Sequence, residues 1–153
     1  MRAWAALLAK KSHYISEYEA ELKTLADTAA FNKQTALLTA ECAEAAALVD
    51  DCIAVNAASA LNQTEYQKRY DELVAQYDKA KSRLNSIKQE KLEQLTRREK
   101  IRRFLEILRK TETVPDNFDE KLWRKTVESM TIYSLEKVTV RFTSGTEIYV
   151  SVE

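Results

Sequence analysis

Glycine and proline occur once each in this chain of 153 residues, and both fall late, at Gly145 and Pro115. These two residue types supply most of the punctuation for tight chain reversal, so roughly the first 110 positions lack the turns of a many-layered fold. Helix is therefore expected through nearly all of that stretch. Composition agrees: 45% apolar beside 31% charged residues is the profile of long paired helices, not of a large spherical core.

The apolar spacing gives those helices a seam. Residues 3–55 read as one long helix, in which Trp4, Leu8, Ile15, Tyr18, Leu22 and Leu25 keep the alternating four-three spacing of a coiled coil. From Phe31 the seam shifts to Leu38, Cys42, Ala45, Val49 and either Cys52 or Ile53, among many alanines. A second helix presents larger residues at the same spacing: Tyr66, Tyr70, Leu73, Tyr77, Ala80, Leu84 and Ile87. Chain reversal is expected near Asn56–Leu61. There Asn62 and Glu65 have the spacing of a capping box, and Leu61 with Tyr66 that of a hydrophobic staple.

Antiparallel pairing would bring Ile53 beside Tyr66, Val49 beside Tyr70, Ala45 and Ala46 beside Leu73, and Leu25 beside Leu95. Leu8 and Ile15 would then reach Leu108 and Leu105. Small residues opposite large ones favour a hairpin within one chain over a parallel dimer. The expected fold is mainly α: a long antiparallel two-helix coiled-coil hairpin over 1–112 with its tip near 56–63, followed by a short helix and a small antiparallel β unit over 113–153.

The seam has one flaw. Continuing the second helix's spacing past Ile87 puts Lys91, Gln94 and Arg98 at apolar positions, with Leu92 and Leu95 one place off. Either a local rotation brings the leucines in, or the polar stretch is a bend or hinge. Beyond Pro115, Asn117 and Glu120 have capping-box spacing before a helix over about Phe118–Ser129, its buried face formed by Phe118, Leu122, Thr126, Val127 and Met130 with Trp123 alongside. Periodicity then alternates. Thr131–Ser134 reads as a short strand, Val138, Val140 and Phe142 point one way, and Ile148, Val150 and Val152 repeat the pattern after a Ser144-Gly145 turn. Such a hairpin is marginal alone, so it must pack on the short helix, the coiled-coil base or further chain.

Little in the chain points to catalysis. His13 is the sole histidine, and it has no Ser, Cys or Asp constellation around it. One glycine cannot build a phosphate-cradling loop. Cys42 and Cys52 lie ten residues apart on one expected helix, roughly 15 Å along its axis, too far for a disulfide. Neither belongs to a C-x-x-C pair, so no zinc or other cofactor is expected in this chain. No apolar run is long enough to span a bilayer, which reads as a cytoplasmic protein without membrane contact.

The 24 basic and 24 acidic residues cancel, so any nucleic-acid footprint must be local. The basic run Lys88–Arg103, with Lys91, Arg97, Arg98, Lys100, Arg102 and Arg103, has the charge to track a phosphate backbone. Glu90, Glu93 and Glu99 interrupt it at helical spacing, which favours a solvated, salt-bridged face. A better interaction site lies at the expected hairpin tip, where Ile53, Val55, Ala57, Ala58, Leu61 and Tyr66 offer apolar surface to a second molecule.

Three stretches carry a family resemblance: LNQTEYQKRYDELVAQYDKAKSRL (61–84), KIRRFLEILRKTE (100–112) and FDEKLWRKTVESMTIYSLEKVTVRFTSGTEI (118–148). They resemble the C-terminal region of large serine recombinases, the site-specific enzymes of bacterial phages and integrative elements. The resemblance implies a coiled coil that emerges from a zinc-ribbon domain, with residues 118–153 returning beside it and zinc held only in that separate portion. It implies further that coiled-coil tips join recombinase subunits across two DNA sites, that directionality factors steer them, and that the parent protein holds the DNA in the bacterial cytoplasm. This chain departs from the family in having no catalytic serine domain, recombinase domain or zinc-ribbon cysteines, so the role implied is non-catalytic. The alternative is a free-standing coiled-coil scaffold or adaptor, which explains the helices but not the terminal strands.

Overall fold

The computed structural model describes residues 1–59, 62–134 and 137–151; Leu61 and Val152, named above, lie outside them. Five helices, α1 (Arg2–Ala9), α2 (Lys11–Ala26), α3 (Ala29–Ala58), α4 (Gln63–Lys110) and α5 (Glu120–Thr126), precede a sheet of β1 (Val127–Ser134), β2 (Lys137–Phe142) and β3 (Glu147–Ser151). The chain is mainly helical, with long helices and a small three-stranded antiparallel sheet.

The single helix expected over 3–55 is interrupted twice. At Lys10 the backbone leaves helical geometry (φ −116°, ψ 25°), and its N–H bonds the Leu7 carbonyl at 3.1 Å. At Asp27 the chain turns extended (φ −78°, ψ 109°) before α3 begins at Ala29. Asp27 and Thr28 are both weak helix formers, so a helix end falls there without glycine or proline, although Thr28 makes no side-chain cap bond to α3.

The chain divides into two units, Met1–Asp27 with Gln94–Glu153, and Thr28–Glu93. In the first, Trp4, Leu7, Tyr18, Ile101, Phe104, Leu105, Leu108, Val140, Phe142 and Ile148 form one core, with Leu8, Ile15, Leu22 and Leu25 packed against it. Trp4 stacks on Phe104 (centroids 6.2 Å apart) and meets Phe142 edge-on (5.7 Å), while Tyr18 meets Phe104 edge-on (5.8 Å). The Trp4 indole N–H donates to Thr126 Oγ1 at 3.3 Å, which satisfies a polar group in the middle of this apolar core. The sheet therefore packs on α1, α2 and the last turns of α4, and not only on the short helix.

Strand order is β1-β2-β3. Met130 pairs with Val140 and Ile132 with Val138, and across the other ladder Val140 pairs with Ile148 and Val138 with Val150. The expected helix over 118–129 is shorter, and the first strand starts at Val127, not Thr131. Asp119 caps α5 by accepting from the Leu122 N–H at 3.0 Å, in place of the expected Asn117 box. Helical spacing at 122, 126 and 130 is overridden because residues from Val127 onward gain a full ladder against β2. Phe118 and Met130, expected to be buried, are exposed; Phe118 lies against Trp123 at 5.7 Å.

In the second unit, Leu38, Ala45 and Cys52 of α3 are buried, with Cys42 and Val49 half-buried between them. Cys52 thus holds the stripe position that spacing left open between it and Ile53. Ala80 and Leu84 of α4 are buried, and Tyr66, Tyr70, Leu73, Tyr77 and Ile87 half-buried. Arg83 pairs with Glu41 at 3.4 Å, and Lys91 donates to Asn32 at 2.7 Å. Asn62 Oδ1 accepts from the N–H groups of Thr64 (2.9 Å) and Glu65 (3.4 Å), the capping expected of it.

The local rotation that would turn Leu92 and Leu95 inward does not occur, and both are exposed. Gln94 keeps the seam position and donates to the carbonyls of Leu25 (3.0 Å) and Asp27 (2.9 Å).

Candidate functional site

The last turns of α3 and the first of α4 line a cavity of about 160 Å³, formed by Asp51, Cys52, Val55, Asn62, Glu65, Tyr66 and Arg69. Its position follows from local chemistry: Asn62 starts α4 as a cap, and Tyr66, one turn in, lies half-buried with its ring 6.0 Å from that of Tyr70. Ile53 and Val55 are 44% and 47% exposed, and Ala57 and Ala58 are exposed as well. Of the expected tip residues, then, Val55 and Tyr66 share the cavity, while Ile53, Ala57 and Ala58 stand on the helix surface without lining it.

A site of this size is smaller than the roughly 300–1,000 Å³ typical of small-molecule pockets. It suits one inserted side chain. The apolar Val55 and Tyr66 beside charged Asp51, Glu65 and Arg69 match the anatomy of a protein contact, an apolar centre with a polar rim.

The basic run is distributed differently. Arg97 pairs with Glu21 at 3.0 Å, Lys100 with Glu128 at 3.0 Å, and Arg102 and Arg103 both with Glu99, at 3.0 and 2.8 Å. The Arg102 and Arg103 hydrogen bonds hold the Glu99 carboxyl down at about 2, and Lys100 lowers that of Glu128. Arg98 is exposed and makes no ion pair among the described residues. Four of the six cations named from the sequence therefore already face carboxylates, each pair contributing modestly because it is solvated, and a fifth, Lys91, donates to Asn32.

Spacing alone did not reveal a polar cluster around the β2–β3 turn. The Tyr18 hydroxyl bonds Ser144 Oγ at 2.8 Å and also meets Thr146 Oγ1, and burial is the main reason its pKa is raised. Gly145 adopts φ +90°, and a Cβ there would lie 2.6 Å from Arg97 Nη1. The lone glycine signalled the turn; nothing in the sequence signalled the guanidinium against it. His13 faces Glu17 at 3.7 Å on an exposed surface.

Among the described residues no group of three or more His, Cys, Asp or Glu side chains is placed to hold a metal, and no helix is long and apolar enough to cross a membrane. Comparison with protein-family models, with curated proteins and with solved structures returned no match for this chain.

Proposed function

We propose that this chain is a non-catalytic interaction module in which α3 and the first half of α4 pair as an antiparallel coiled coil and the end bearing residues 51–69 docks a second copy. The observation that carries the reading is the exposure of Ile53 and Val55 beside the cavity lined by Val55 and Tyr66. Large apolar side chains left in water beside a recess with a charged rim are the usual mark of a docking surface. Antiparallel pairing is supported by Glu41 meeting Arg83 and Asn32 meeting Lys91, since positions fall along α3 as they rise along α4.

The resemblance of residues 61–84, 100–112 and 118–148 to large serine recombinases supports a specific role: bringing recombinase subunits together at synapsis in a bacterial cytoplasm. A directionality factor would be a second partner. DNA and zinc would then be held by other portions of such an enzyme. The ion pairs of Arg97, Lys100, Arg102 and Arg103 weigh against phosphate binding as this module's main task.

Sedimentation equilibrium over a wide concentration range tests the reading, with Ile53→Asp/Val55→Asp as the variant and circular dichroism as the check on folding. Self-association that weakens in a still-helical variant supports it. A strict monomer at the highest concentration, or a dimer indifferent to both substitutions, contradicts it.

A further inference from the structure

The two edges of the sheet are treated differently. At the β3 edge, α1 packs against the strand and Arg2 Nη1 donates to the Ser151 carbonyl at 2.9 Å. Among the described residues, β1, the opposite edge, pairs with β2 and no other strand, and every residue from Glu128 to Ser134 is exposed. Met130, Ile132 and Tyr133 are 51%, 65% and 69% exposed. Edge strands are ordinarily guarded by proline, lysine or an inward charge. The stretch Ser129–Ser134 contains none of these.

We infer that β1 is a self-association edge: it pairs antiparallel with β1 of a second copy, joining two three-stranded sheets into one of six. The strand is complementary to itself. With the two-fold axis at Thr131, Met130 of one copy faces Ile132 of the other, twice. Met130 and Ile132 share a sheet face with Val138, Val140, Ile148 and Val150, because directly paired residues lie on the same side. The apolar face of each sheet thus continues unbroken across the junction.

Charge favours the same occupant. Glu128 is the strand's one charged residue and is already matched by Lys100 at 3.0 Å and Arg141 at 3.1 Å, while Ser129–Ser134 is neutral, so no like charges oppose each other. The ladder with β2 is regular from Ser129 to Ile132, which spans the Met130, Thr131 and Ile132 positions at the centre of the pairing, and it becomes irregular between Ile132 and Ser134. Main-chain hydrogen bonds would supply affinity and the Met130–Ile132 pairs the register.

This contact is independent of the one around Val55, and hydrogen exchange on the whole chain separates them. In the Ile53→Asp/Val55→Asp variant, amides of residues 128–134 are expected to gain protection as protein concentration rises, while those of β2 stay unchanged. Met130→Lys/Ile132→Lys replaces two exposed side chains and is expected to abolish that gain and weaken self-association by about tenfold or more. Protection of 128–134 that ignores concentration, or association unaltered by the lysines in a folded variant, would overturn the inference. If the lysine variant fails to fold, the concentration series on the Ile53→Asp/Val55→Asp chain still decides.

Discussion

The side-chain amide of Gln94 donates to the main-chain carbonyl of Asp27 over 2.9 Å, and shares itself with that of Leu25 at 3.0 Å. A helix end leaves its last carbonyls without partners, and α2 ends at Ala26, so the Leu25 carbonyl is one of those that Gln94 satisfies. The polar flaw in one helix and the break in its neighbour are therefore one feature. Each bond is worth about 0.5–1.5 kcal/mol net. Gln94→Leu, which repairs the apolar pattern but removes both donors, is expected to destabilise the chain by about 1–2 kcal/mol in urea unfolding. An unchanged or raised midpoint would show that the break does not depend on Gln94.

Gly145 combines φ +90° with a guanidinium against its Cα, so Gly145→Ala meets both backbone strain and Arg97. A loss of about 1–3 kcal/mol is expected. Arg97→Ala in the same chain should restore only part of it, because the φ remains unfavourable for alanine. A double-mutant cycle from thermal or urea unfolding measures the two contributions separately.

Thr139 is 5% exposed, and its hydroxyl has no hydrogen-bond partner among the described residues. Valine keeps the β-branched shape and removes the orphaned group. Thr139→Val should stabilise the protein by about 1 kcal/mol, read as a higher unfolding midpoint with unchanged denaturant slope.

The carboxyls of Glu99, Glu106 and Glu128 all sit below the ordinary glutamate value of 4.5 in the folded chain, Glu99 at about 2. Folded values below unfolded ones mean a contribution present above pH 4.5 and lost as pH falls toward 2. Melting temperature is expected to drop through that window, and Glu99→Gln to flatten the drop. Tyr18 has the opposite sign: its raised value gives a contribution intact below pH 10 and lost as alkali ionises the buried hydroxyl. Tyr18→Phe should remove that alkaline loss.

The buried stripes were legible because coiled-coil spacing survives in Leu38, Ala45, Cys52, Ala80 and Leu84, and Asn62 and Gly145 were legible because caps and positive-φ turns demand particular residues. The breaks at Lys10 and Asp27 were not, since neither carries glycine or proline and helix propensity differs little between neighbouring polar residues. The start of β1 was hidden by Leu122, Thr126 and Met130, whose spacing imitates a helix until β2 is present to pair with it. Of the site, the apolar residues Val55 and Tyr66 could be named; the Asp51–Arg69 rim around them depends on where α4 starts relative to α3. Contacts such as Arg97 with Glu21 and Lys100 with Glu128 join positions far apart in the chain and leave no local trace.

The contact proposed around Val55 is tested most directly by disulfide trapping. In a Cys42→Ala/Cys52→Ala background, Val55→Cys is compared with Lys33→Cys, an exposed position about 33 Å along the same helix. Because a disulfide forms only between Cα atoms within about 7 Å, it reports close approach and not chance collision. Val55→Cys should give covalent dimer rapidly under mild oxidation, and Lys33→Cys should not. Equal and slow cross-linking at both positions would contradict docking through this end of the chain.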